Sequence, residues 1–214
     1  MEYDFDSLPA KDRYRLLVSF VAPRPIALVS TVDEHGTYNA APMSFFNVFS
    51  HDPPIVILGI QTRPDGRVKD TVANIRRSGE FVAHMVDMNI ASQMILTGID
   101  LPNEVDEIEF AQLTATPSAK ISAPRIKESP CAMECRVSQI IDYDRRSIVL
   151  GEVVHMYVLD DCLDEQKHYV RPEVYQPIAR MHADNYISSD RQFQLLEPDA
   201  ADLPLAGKCS PGKR

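Results

Sequence analysis

Glycine is scarce in this chain. Its 214 residues include 8 glycines against 16 prolines, where ordinary usage is roughly 7% Gly and 5% Pro. No two glycines stand two apart, so neither G-x-G-x-x-G nor a Walker A loop occurs. That excludes Rossmann and P-loop nucleotide sites of the usual kind. G-x-S-x-G is missing as well, which removes the nucleophile elbow of the serine hydrolases. The four cysteines, Cys131, Cys135, Cys162 and Cys209, form no C-x-x-C pair, so neither a zinc ribbon nor a thioredoxin-like site is indicated. The histidines are scattered without H-E-x-x-H or H-x-H, and no metal site is expected. No apolar run approaches the ~18 residues of a membrane span, and the acidic start MEYDFD is unlike a signal peptide. A cytoplasmic protein with reduced thiols, free of membranes, is expected. Positive charge is also short: Lys and Arg number 22 against 31 Asp and Glu, a net charge of −9. No basic run offers a nucleic-acid footprint. Any anionic ligand must therefore be held by a local pocket, against the overall field.

Hydrophobic residues make up 44% of the chain and charged residues 25%, which suits a globular core. We expect a domain over residues 1–196 and a loose tail over 197–214, where Pro, Gly and Asp replace large apolar groups. Leu16, Leu17 and Phe20 give helical spacing between Leu8 and Val21, and Pro23 and Pro25 stop that helix. Arg24–Val32 is an apolar, β-branched run that reads as a strand. A turn at Asp33–Gly36 returns the chain through Thr37–Met43, which makes a hairpin. Ile55–Ile60 is apolar throughout and reads as a strand buried on both faces. Lys69–Gly79 has helix grammar, with Asp70 or Thr71 as cap, Arg76 and Arg77 near the end, and Gly79 as stop. Phe81–Val86 reads as a further strand and Ile90–Thr97 as a short helix. Ala132–Ile141 and Ile148–Leu159 flank a turn at Asp144–Ser147, and Pro172–Met181 reads as a last helix. Strands outnumber helices and hairpins dominate. The class is mainly β, an antiparallel barrel with a few short helices.

Three segments can carry chemistry. Arg63, Arg67 and Lys69 crowd the loop before a helix start, where free N–H groups and the Thr71 hydroxyl can receive a phosphate monoester. A solvated basic loop, with Asp70 an ordinary N-cap, is the alternative. Asn39–Ser44 (NAAPMS) puts small residues around a proline at a strand end, which lets a planar ligand approach the backbone; a tight strand exit is the alternative. Ser30 and Thr31 end an apolar strand and can bond a ligand or neighbouring backbone. His182, beside Arg180, is the candidate functional imidazole. His155 reads as a sheet residue. Cys131 and Cys135 face one side of a strand, a spacing for packing rather than redox chemistry.

Several segments in order resemble the flavin reductase-like family, whose domain is the FMN-binding split β-barrel and which includes flavoredoxin. They are PRPIALVST (Pro23–Thr31), G-x-x-N-x-A-P-x-S-F-F (Gly36–Phe46), DPP (Asp52–Pro54), KDTVANI (Lys69–Ile75) with GEFV (Gly79–Val82), ECRV (Glu134–Val137), GEVV (Gly151–Val154), and PIAR (Pro177–Arg180) with Tyr186. The resemblance implies that Ser30, Thr31, Asn39, Ala41, Pro42 and Ser44 surround the flavin ring and ribityl chain. It implies that Lys69, Asp70 and Thr71 hold the phosphate end, with Arg63 as helper. It further implies FMN (or FAD), NADH or NADPH as reductant, a homodimer, and a partner oxygenase or other acceptor. A non-enzymatic electron carrier of the flavoredoxin type is the other function the likeness allows. One departure stands out: where family members often carry a pair of glycines after PIAR, this chain has Met181, His182 and Ala183, bulk that bears on where a second substrate stacks.

Overall fold

The fold is that of a computed structural model, which describes residues 1–167 and 169–195. The expected tail over 197–214, with Cys209, lies outside the described residues, as does His168. Helix α1 (Ala10–Phe20) is followed by strands β1 (Arg24–Pro25), β2 (Ala27–Val32), β3 (Tyr38–Met43), β4 (Phe46–His51) and β5 (Pro54–Gln61). Helix α2 (Asp70–Ser78), strand β6 (Glu80–Met85) and the short helices α3 (Ala91–Leu96) and α4 (Glu107–Phe110) come next. Strands β7 (Ala115–Thr116), β8 (Arg125–Ile126), β9 (Cys131–Tyr143), β10 (Arg146–Val158), β11 (Ile178–Arg180) and β12 (Tyr186–Ser188) complete the order. Among the described residues every strand pairing is antiparallel. Among the described residues no helix is long and apolar enough to cross a membrane.

Chain connectivity forces the main sheet to curl. Its seven strands run β3-β2-β6-β9-β10-β5-β4, so β3 and β4 are opposite edges. Yet only Ser44 and Phe45 separate the end of β3 from the start of β4. Three residue steps reach ~11 Å at most, whereas a flat seven-stranded sheet would hold its edges ~29 Å apart. The sheet must close on itself, and its two edges meet at a seam. There the Gly59 N–H on β5 donates to the Phe45 carbonyl at 2.7 Å. A side chain at Gly59 would bring its Cβ to 3.1 Å from that of Phe45, so glycine permits this close approach.

Strand β2 shows why its run is apolar without break. Ala27 and Val29 point into the barrel core with Leu58, Phe81, Cys135 and Val149. Ile26 and Leu28 point outward, into a second core with Met94, Ile108 and Ile178. Period-2 alternation thus buries both faces of one strand. Strand β5 departs from expectation here. Val56, Leu58 and Ile60 enter the barrel, but Ile57 and Gly59 on its other face are only half-buried. Cys131 and Cys135 both pack in the barrel core, and burial pushes their thiols up to about 11 and about 12, which keeps them protonated and unreactive.

Two further readings are corrected. The expected helix over Pro172–Met181 is a turn followed by β11. Val174 and Tyr175 both donate to the Arg171 carbonyl and start a helical turn, but Pro177 lacks an N–H and drives Gln176 extended. The strand β4 was not anticipated: it is an edge strand whose Val48 and Phe49 are exposed, so it carries no in–out alternation.

Candidate functional site

The barrel seam opens into a cleft of about 860 Å³. Strand β3 supplies one wall with Asn39, Ala41 and Pro42, continued by Ser44 in the crossing to β4. Gly59 on β5 contributes to the floor. Arg63 and the start of α2, with Lys69, Asp70 and Thr71, complete the lining, and Thr71 touches Asn39 directly. Eight of the ten expected cofactor-binding residues therefore line one cavity.

The start of α2 differs from expectation in a consequential way. Neither Asp70 nor Thr71 caps the helix. Lys69 occupies the N-cap position with an extended backbone, and no side chain bonds the first turn. The first intrahelical bonds run from Val72 and Ala73 to the Lys69 carbonyl, at 2.9 and 3.0 Å. The N–H groups of Asp70 and Thr71 precede them and have no intrahelical acceptor. The Asp70 carboxylate instead receives Arg63 at 2.7 Å, and the Thr71 hydroxyl donates to Asn39 Oδ1 at 2.9 Å. The Gly79 stop is as expected, in a left-handed conformation with φ 70°.

The three cations of this loop part company. Arg63 is largely buried and bridges Asp70 and Asp100. Arg67 points away, bonded to Asp65 at 2.6 Å and three-quarters exposed. Lys69 is exposed at the cleft and forms no ion pair among the described residues. Two unanticipated cations also line the cleft: Arg145, in the β9–β10 turn, and Arg146, which starts β10. Arg146 stacks over the Phe45 ring at 5.4 Å, and Arg145 donates to the Pro64 carbonyl at 3.0 Å. A pair of adjacent arginines in a tight turn of an acidic chain was the available signal.

Ser30 and Thr31 stand behind the wall, not in it. Both are fully buried. Ser30 donates to the Pro124 carbonyl at 2.5 Å. Thr31, paired with Asn39 across the two strands, accepts from Asn74 at 3.0 Å and donates to Asn39 Oδ1 at 3.3 Å. These hydroxyls satisfy neighbouring groups, and only Thr31 reaches the cleft indirectly, through Asn39. His182 sits exposed in the turn between β11 and β12, outside the cleft lining. The bulk beyond PIAR folds back on itself: Arg180 bonds Tyr186 and the Ala183 carbonyl, and Ala183 takes a φ of 50°.

Glu107 is the residue that linear reasoning missed. It starts α4, which packs on β3, and it is only 9% exposed. Its Oε2 accepts from Asn39 Nδ2 at 2.6 Å and from the Ala40 N–H at 2.7 Å. Burial, opposed by the Ala40 N–H and supported by the nearby Asp70 charge, pushes its carboxyl up to about 7. Nothing in the local sequence signals this, because the environment is made by a strand 67 residues away.

Residues 20–179 match the family model described as Flavin reductase like domain. A protein from Halalkalibacterium halodurans is 37% identical over 204 residues, which cover 92% of this chain and 97% of that one. Among solved structures, the 2-nitrobenzoate 2-nitroreductase of Pseudomonas fluorescens superposes with a TM-score of 0.87 at 38% identity, covering 97% of this chain and 100% of that one. Nitrilotriacetate monooxygenase component B from Bacillus cereus gives 0.86 at 32% identity, over 91% and 98%. The segments from Pro23 to Tyr186, the seamed antiparallel barrel and these likenesses agree, and the chain belongs to the flavin reductase-like family.

Proposed function

We propose that this protein is an NAD(P)H-dependent flavin reductase that uses FMN and passes electrons to an acceptor, such as a partner oxygenase. The observation that carries the reading is the uncapped start of α2. Its free N–H groups and Lys69 open onto a cleft that Arg145 and Arg146 also line. In a chain of net charge −9, such a concentration of donors suits a phosphate monoester. The cleft also falls within the ~300–1,000 Å³ of cofactor sites.

The residues present fit FMN. Lys69 and the N–H groups of Asp70 and Thr71 would receive its phosphate. Ala41, Pro42, Ser44 and Gly59 leave the backbone accessible to a planar ring. FMN, when bound, would supply the two-electron chemistry. The chain's own groups would bind and orient, and no side-chain acid or base is needed. Thr31 would act through Asn39, as a positioning residue. Ser30 has no part beyond the fold. That the Bacillus cereus neighbour is named a monooxygenase component supports the choice of acceptor. A cytoplasmic setting accompanies this reading. So does a homodimer, supported by the exposed Leu17 and Phe20 of α1 with Val21 just after it, and the exposed Val48 and Phe49 of edge strand β4. A monomeric mass with flavin bound would contradict the dimer.

The test pairs binding with turnover. Lys69→Ala should weaken FMN by about one to two decades, since a charge-assisted contact contributes roughly 1.5–3 kcal/mol. Riboflavin, without the phosphate, should bind both proteins alike; equal loss for the two ligands removes Lys69 from the phosphate site. The wild-type protein with FMN should oxidise NADH or NADPH. Bound FMN with neither oxidised would leave a flavoredoxin-like carrier instead.

A further inference from the structure

Glu107 poses a problem for an anion site. A nearly buried carboxylate lines the same cleft as Lys69 and Thr71, in contact with Asn39. The geometry between them is a relay of hydrogen bonds: Thr71 hydroxyl to Asn39 Oδ1, and Asn39 Nδ2 to Glu107. An ionised carboxylate only accepts, and a hydroxyl has one proton to give. With Glu107 ionised, Asn39 must turn its Nδ2 toward it and its Oδ1 toward Thr71. The Thr71 proton is then committed to Asn39 and faces away from any ligand.

Protonation reverses the relay. Protonated at Oε2, Glu107 can donate to Asn39 Oδ1 once the amide has flipped, while the remaining lone pair of the same oxygen keeps the Ala40 N–H. The two N–H bonds of Asn39 then serve the Thr71 and Thr31 oxygens, and the Thr71 proton becomes available to the cleft. The negative charge beside the anion disappears in the same step. We propose that Glu107 is a positioning residue that sets the polarity of the Asn39–Thr71 pair, so that binding of a phosphate monoester is coupled to protonation of the cleft. The inference rests on the reading of this cleft as the FMN phosphate site.

Two observations support it. Glu107 and Asn39 also line a second cleft of about 640 Å³ behind the first, with Asp33, Glu34 and Glu104 along it. Glu107 therefore borders an acidic cleft as well as the one that would hold the ligand. The groups facing Glu107 hold it near neutrality: Asp70 on α2 and Asp106 on its own helix raise its carboxyl, Arg63 lowers it, and burial sets it at about 7. Arg77, also on the second cleft, is engaged with the Val32 carbonyl at 2.6 Å.

The proton count is measurable by calorimetry of FMN binding near pH 7 in buffers of different ionisation enthalpy. Wild-type protein should take up a substantial fraction of a proton with FMN and none with riboflavin. The phosphate cannot supply this signal, because cations favour its dianion and would make it release a proton. Glu107→Gln, a neutral mimic of the acid, should abolish the uptake. From pH 8 to pH 6 the affinity of wild type relative to Glu107→Gln should rise about tenfold. Equal proton exchange in the two proteins overturns the role of Glu107. If the variant does not fold, wild-type uptake that is zero, or equal for FMN and riboflavin, overturns it. No binding of FMN at either pH would overturn the flavin reading itself, whereas binding without uptake removes only this inference.

Discussion

Two buried glutamates in this molecule meet opposite treatment. Glu134 on β9 is fully buried, and its two oxygens accept the Ala119 and Lys120 N–H groups, both at 2.8 Å. The Arg125 guanidinium lies 3.7 Å away, stacked on Tyr157, and His155 Nδ1 lies at 3.3 Å. Glu107 receives one backbone N–H and one side-chain amide, with Asp70 close by. Burial is common to both, and what differs is the set of donors: Glu134 has two backbone N–H groups and a guanidinium nearby, whereas Glu107 has one backbone N–H and a side-chain amide that can flip.

This contrast can be broken by substitution. Glu134→Ala should be the most damaging change, since it strands two backbone N–H groups and a guanidinium; breaking a buried pair in this way costs about 3–5 kcal/mol. Denaturant unfolding would show it as a large drop in midpoint. A drop no greater than that of a surface substitution would mean the two glutamates are alike.

The pH dependence of stability sharpens the same comparison. The Glu107 carboxyl, raised from 4.5 to about 7, binds its proton more tightly folded than unfolded. Its ionisation therefore destabilises the fold progressively as pH rises from about 4.5 through 7, and no further above that. The effect is on the order of 3 kcal/mol at its upper bound. Glu107→Gln should flatten that part of the stability–pH curve, and an unchanged slope would contradict the raised value. A smaller effect is expected on the barrel side. A Cβ at Gly151 would lie 2.4 Å from Cζ of the fully buried Phe81 and 3.2 Å from Cys135 Cβ. Gly151→Ala should cost about 1–3 kcal/mol through overpacking and leave FMN affinity untouched, which thermal unfolding and flavin titration would check together.

How much of this was legible in the chain follows the range of the interactions. The β2–β3 hairpin was readable because its turn and its apolar run are local, and α2 because Gly79 and the basic last turn are local. The cluster of Asn39, Ala41, Pro42 and Ser44 with Lys69 and Thr71 came from a family likeness, and the cleft brings them together. Ser30 and Thr31 were misplaced because strand register, not composition, decides which face a hydroxyl takes. The cap at α2 was misjudged for a related reason. Arg63, seven residues before Asp70, and Asn39, 32 residues from Thr71, take up the Asp70 and Thr71 side chains and leave the helix start open. Glu107 and the turn arginines acquire their roles only when the sheet curls and its edges meet.

The central claim is that the seam cleft holds FMN with its phosphate on the open start of α2. A crystal structure of the protein with FMN tests it most directly. The account predicts the phosphate within hydrogen-bonding distance of the Asp70 and Thr71 N–H groups and of Lys69 Nζ, with the ring against Ala41, Pro42 and Ser44. Flavin bound elsewhere, or a seam cleft still empty at saturating FMN, would contradict it.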